Sequence, residues 1–296
     1  MRRPVELAWL FRMRENRLHL DFDQKLSIKI EAFAVTSKSP GALKASVLSI
    51  PSVRAGSGGT TAAAWGARLL DRYFYFFMSL LITAIIVYGF HFTVDENLFH
   101  PAPPRPLLLY FHAAVFSFWV VFFILQSSLV RTGNIRVHRL MGWFGLALGI
   151  AIILLGVSTA LTMARFDIVQ LHSPNARWRM IVPLFDMVCF TPTFFLAIYW
   201  RRKPQLHRRL IFIATCGLTA AAWGRFPEPI LPHYMLYAGV DLLILLGVAR
   251  DLIVDRRIHT VYLYVLPFFA IGQSIVVYTR WHELHYWLRV ADFLLR

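Results

Sequence analysis

HAAVFSFWVVFFILQSSLVRTGNIRVHRLMGWFGLALGIAIILLG, residues 112–156, consists of two long apolar runs. Between them lie the nine residues RTGNIRVHR, with three arginines and a histidine, His138, wedged between Val137 and Arg139. Each run, with its neighbours, reaches the ~20 residues a helix needs to cross the hydrocarbon core of a bilayer. The stretch therefore reads as two membrane helices joined by a short basic loop.

The same alternation extends outward in both directions. From residue 71 onward seven apolar runs follow, at 73–93, 107–130, 140–164, 181–200, 208–226, 233–253 and 259–280. The fifth and sixth are the shortest without their flanks, so a six-span variant is the alternative. Composition agrees. The 296 residues are 57% hydrophobic and 16% charged, with positive mean hydropathy, whereas soluble domains carry about 25% charge. The fold class expected is an all-α polytopic helix bundle. The net charge of +15 does not indicate nucleic acid. The arginines cluster in short loops between apolar runs, where they set topology and meet anionic lipid headgroups. The expected partner is the lipid bilayer; no protein partner is named by any motif.

The loops orient the bundle. RTGNIRVHR (131–139), RRKPQLHRR (201–209) and RDLIVDRRIH (250–259) hold 3, 5 and 3 Lys and Arg; the intervening loops 93–106, 165–179 and 225–233 hold 1, 3 and 1. By the positive-inside rule the first set and the amino terminus are cytoplasmic and the carboxy terminus is outside. The location expected is a bacterial inner (plasma) membrane. Trp178, Trp200, Trp281 and Trp287 read as interfacial anchors, and residues 281–296 as an amphipathic interfacial tail. Residues 1–70 are different: a basic opening, then a Ser, Gly and Ala-rich stretch. They read as a mostly disordered cytoplasmic extension, or as the product of a start codon placed too far upstream, the second being preferred. Cys189 and Cys216 both lie in apolar runs and imply no disulfide framework.

Ionisable groups inside spans are costly and are treated as functional candidates. They fall in two layers. Near the outer side lie His112, about 9 Å deep at 1.5 Å per residue, with Asp186 and Asp241, and with His91, Arg225, Glu228 and His233 at the boundary. Near the inner side lie His138, His207 and His259, each opening a helix beside arginine. Two histidine layers suit two b-type haems, each held by imidazoles from facing helices. The candidate pairs are His138 with His207 and His112 with His233, with Arg136, Arg139, Arg208 and Arg209 available to the inner propionates. The plain alternative for each inner histidine is a helix-start group in the headgroup layer.

Two other chemistries compete. His112, Asp186 and Asp241 suit a Zn or Fe site for a membrane hydrolase, and the same carboxylates suit a proton-coupled carrier. The tail's HELH, with His282 and His285, lacks the i, i+4 spacing of the zinc-protease motif. Gly142, Gly145, Gly149 and Gly156 line one stripe of the third run. They suit close helix contact or a surface cleared for a flat cofactor.

From 71 to 280 the chain resembles uncharacterised bacterial multi-pass membrane proteins. The resemblance is carried by HAAVFSFWVVFFILQ (His112, Trp119, Gln126), HRLMG (His138, Arg139, Gly142) and KPQLHRRLIFIAT (Lys203, Pro204, His207). It implies the architecture and supplies no activity. The embedded histidines with the HR-x-x-G pattern are also similar to cytochrome b561-like di-haem proteins, which implies transmembrane electron transfer through haem b. In this chain His138 and His207 open their helices instead of lying within them.

Overall fold

The computed structural model describes residues 62–296. The amino-terminal extension expected over 1–70 lies outside the described residues as far as residue 61, and from Ala62 the chain is already helical. Helix α1 spans Ala62–His91, α2 Leu107–Arg131, α3 Ile135–Val169 and α4 Ile181–Tyr199; α5 spans Pro204–Gly217, α6 Leu236–Val254, α7 Thr260–Trp281 and α8 His285–Leu294. Single helical turns at Ala176–Arg179 and Ala220–Trp223 precede α4 and follow α5. No strand occurs among the described residues.

Local chemistry places the boundaries. The proline-rich stretch before α2 ends at Pro106, its N-cap residue, since proline fixes φ and donates no N–H. Gly133, at φ +80°, makes the reversal into α3, a conformation glycine adopts without steric cost. Pro204 sits in the first turn of α5, where its missing N–H leaves no helical bond unmade. His259 caps α7, its Nδ1 accepting from the Val261 N–H at 3.2 Å.

Five helical segments are long and apolar enough to cross a membrane: Trp65–His91, Leu107–Arg131, Ile135–Val169, Ala176–Tyr199 and Thr260–Trp281. The chain is therefore a multi-pass membrane protein by its helices. The other two expected spans are helical but differ in kind. α5 has 14 residues, about 21 Å of helix. α6 has 19 residues, among them Asp241, Arg250 and Asp251. These are the same two runs that look weakest in the sequence.

The bundle turns apolar surface outward. Phe77, Val121, Leu154, Ile271 and Tyr264 are 59–79% exposed, and soluble monomers do not display contiguous apolar surface on this scale. The arrangement fits lipid as the solvent of the helix flanks. Inside, α2 packs on α3, α4 on α5, α1 between α2 and α6, and α4 between α3 and α7. Of the five membrane-capable segments the fourth is the most enclosed, with 44% of its apolar window buried against 22–28% for the others.

The glycine stripe of α3 packs closely rather than clearing a long flat surface. A Cβ at Gly145, Gly149 or Gly156 would strike Phe122, Phe194 and Met187 respectively. At Gly142, one turn beyond His138, a Cβ meets nothing within 4 Å.

Trp178 and Trp287 are buried against protein, because α8 docks on the Ala176–Arg179 turn. The Trp287 Nε1–H donates to the Arg177 carbonyl at 2.8 Å, Arg177 pairs with Asp292, and Ala291 is fully buried. Tyr286, Val290 and Phe293 form the opposite, exposed face, so α8 has one face on protein and one available to lipid. Trp287→Ala is expected to release this helix: limited proteolysis within 282–296 accelerates while the melting temperature of the bundle stays within about 2 °C, a local opening rather than a global one. Unchanged cleavage would show that the docking contributes nothing.

Candidate functional site

At the end where α3, α5 and α7 begin, two histidines meet. His138, in the first turn of α3, and His207, in the first turn of α5, have ring centroids 6.4 Å apart and ring planes at 74°. The His207 Nδ1 lies 2.9 Å from the Ala197 carbonyl oxygen of α4. With Nδ1–H donating there, Nε2 is the lone-pair nitrogen, the tautomer logic of metal-bound histidines. The His138 ring lies beside the Gln126 backbone carbonyl of α2, at a geometry short of a full hydrogen bond, so its Nδ1 is buried and unpartnered. Both amide atoms of the Gln126 side chain are also buried without partners. Buried polar atoms are rarely left unsatisfied. Here α3 and α5 bring two imidazoles together, with backbone carbonyls of α2 and α4 beside them.

The surrounding charge is mostly committed elsewhere. Arg209, 1% exposed, donates from Nε and Nη2 to the two carboxylate oxygens of Asp251, both at 2.8 Å. It also reaches Asp255 at 2.8 Å and the Gln205 side chain at 2.7 Å. Arg250, equally buried, pairs with Asp251 and Asp255 at 2.7 Å and with Asp71 of α1. Arg208 binds the Gln205 Oε1 at 2.6 Å and lies over Tyr75. The cluster ties α1, α5 and α6 together. The reading of Arg209 as a propionate contact therefore gives way: its guanidinium is saturated by carboxylates. Arg136 and Arg139 remain exposed beside the histidine pair and make no ion pair with a described residue.

At the opposite end the expected groups are separate. His112 of α2 stacks on Phe116, centroids 4.0 Å apart, and its Nδ1 is buried without a partner. His233 is bound to Glu228 at 2.9 Å. Asp186 accepts from the Tyr237 hydroxyl at 3.3 Å and Asp241 from the Gln273 amide at 3.0 Å. Among the described residues no group of three or more His, Cys, Asp or Glu side chains is placed to hold a metal ion. His112, Asp186 and Asp241 thus each find a local solution: an aromatic neighbour, a tyrosine and a glutamine.

Sequence reasoning missed the Arg209–Arg250–Asp251 cluster. A signal existed in the adjacent Arg250 and Asp251 with Asp255 one turn on, an unusual density of charge at the end of an apolar run. It was read as a loop.

Comparison of the chain with protein-family models, with curated proteins and with solved structures finds no match.

Proposed function

We propose that this protein is a redox-type membrane protein in which His138 and His207 hold a b-type haem for electron transfer across a bacterial inner membrane. The observation that carries the reading is the histidine pair. The His138 and His207 ring centres stand 6.4 Å apart, close enough for both imidazoles to reach one metal ion at bonds of about 2.0–2.1 Å. A donor set of two imidazoles would suit a b-type haem. It falls short of the three or four protein ligands of a zinc site. The open space over Gly142 lies on the same helix one turn from His138, where a planar group would need room.

A haem b bound there supplies one-electron transfer through its iron. The chain's own residues do the rest. His207 is oriented by the Ala197 carbonyl, which fixes the tautomer and raises the basicity of Nε2. The Gln126 carbonyl lies beside His138 without completing a hydrogen bond to it. Arg136 and Arg139, exposed and without an ion pair among the described residues, are cations available to carboxylates at that end. The arginine-rich loops support a cytoplasmic position for this end, with α5 and α6 completing a seven-helix bundle whose carboxy terminus is outside.

Purified protein expressed with added haem precursor is expected to show a Soret band that shifts on dithionite reduction. His138→Ala and His207→Ala each abolish that band, while His112→Ala retains it. A colourless wild-type preparation, or a band indifferent to both inner substitutions, would sink the reading. The second reading, a proton-coupled carrier, draws on the burial of Asp186 at 8% exposure. It is favoured instead if the protein is colourless and Asp186→Asn abolishes proton uptake in liposomes.

A further inference from the structure

Arg225 follows the Ala220–Trp223 turn at the end opposite the histidine pair. Its Nε donates to the Thr93 hydroxyl at 3.0 Å, its Nη1 donates to the Ala221 carbonyl, and its guanidinium lies 4.3 Å from the centre of the Phe90 ring. It has no ion pair among the described residues; the nearby Glu228 is taken by His233 at 2.9 Å. A guanidinium has five N–H donors, so three remain without an acceptor among the described residues.

The neighbouring groups are donors as well. Thr93 accepts from Arg225 and makes no other side-chain bond among the described residues, leaving its O–H to donate. At the same end Arg105, stacked on Phe166, has Nε and Nη1 buried and unpartnered. No carboxylate among the described residues pairs with Arg225 or Arg105. The buried ion cluster at the other end shows how this chain treats arginines it intends to neutralise: Arg209 and Arg250 share three aspartates. A cation in an apolar setting without a counter-charge is costly, and an anion is the partner that Arg225 lacks among the described residues.

We propose that Arg225 and Thr93 form a binding site for a phosphate-type oxyanion. The guanidinium supplies a two-pronged donor face, the geometry arginine offers to phosphate, and the Thr93 hydroxyl adds a third donor. The source is either the headgroup of a phospholipid or free phosphate. The exposed rings of Tyr88, Phe90, Phe92 and Phe111 around this end are where an acyl chain would lie.

The test is thermal unfolding of detergent-solubilised wild-type protein with three separate additions: dioleoyl phosphatidylglycerol, dioleoylglycerol of the same chains without phosphate, and inorganic phosphate. Stabilisation by ligand follows from preferential binding to the folded state. A rise of about 5 °C with the phospholipid alone identifies a lipid site. The same rise with inorganic phosphate identifies a free-anion site. Either supports the proposal if Arg225→Gln loses it and Thr93→Val at least halves it. Equal rises with dioleoylglycerol, a full rise in Arg225→Gln, or no rise with either phosphate probe overturn it. Should Arg225→Gln fail to fold, Thr93→Val with the same three additions decides, since it removes one hydroxyl and keeps the cation.

Discussion

Replacing Asp251 with alanine is expected to destabilise the bundle by about 3–5 kcal/mol, because breaking a buried pair strands the charge that remains. Asp251 is fully buried and accepts from Arg209 through both oxygens at 2.8 Å and from Arg250 at 2.7 Å. Both guanidiniums are themselves 1% exposed. Without Asp251 they must share Asp255 and Asp71, which stand at 34% and 45% side-chain exposure and are bathed in a higher dielectric. Removal of Asp255 is expected to cost about 1 kcal/mol, since its contribution is screened. The contrast separates a buried clamp from a surface ion network. Thermal unfolding in detergent measures both; equal effects of the two substitutions would contradict the assignment of Asp251 as the centre. Asp251→Asn keeps the shape and loses the charge, and is expected to fall between wild type and alanine.

The second large effect is expected at Gly89, near the end of α1. A Cβ there would lie 2.4 Å from the Ala222 carbonyl oxygen and 2.9 Å from its carbon. Both are backbone atoms, so no rotamer change relieves the clash; α1 and the Ala220–Trp223 turn must separate. Gly89→Ala is expected to cost about 1–3 kcal/mol, the range for overpacking, despite alanine's better helix propensity of about 1 kcal/mol. Gly66→Ala, on the same helix with nothing within 4 Å of its Cβ, is the control and is expected to be neutral or stabilising. A pair of variants with equal melting temperatures would show that α1 and the turn do not touch. Because Arg225 lies just beyond that turn, Gly89→Ala is also expected to weaken the oxyanion-dependent stabilisation.

Much of the architecture was legible because hydrocarbon imposes a length and a composition on anything that crosses it. The stretch 112–156 announces two helices and the turn between them, and the structure has α2, Gly133 and α3 there. The weakness of the fifth and sixth runs was equally visible. α6 carries Arg250 and Asp251, and a segment holding buried charges scores poorly on hydropathy whether or not it is enclosed by protein. The pairing of His138 with His207 was legible as a matter of depth, since each opens a helix in an arginine-rich loop.

What could not be read was rotation. Asp186 and Asp241 lie at similar depth to His112, yet each turns to its own partner, Tyr237 and Gln273. Arg208 and Arg209 are adjacent in sequence, yet Arg209 is buried on Asp251 while Arg208 lies over Tyr75 with 27% side-chain exposure. Adjacent residues on a helix point about 100° apart, so a one-residue difference decides between the interior and the surface. By itself the sequence determined that the chain forms apolar helices, where they reverse, and at which end its arginines gather, because these depend on composition along one dimension. Only the tertiary structure decided which polar groups meet, because a buried charge is stabilised by the particular side chain opposite it, and that neighbour is set by how helices far apart in the chain are turned against one another.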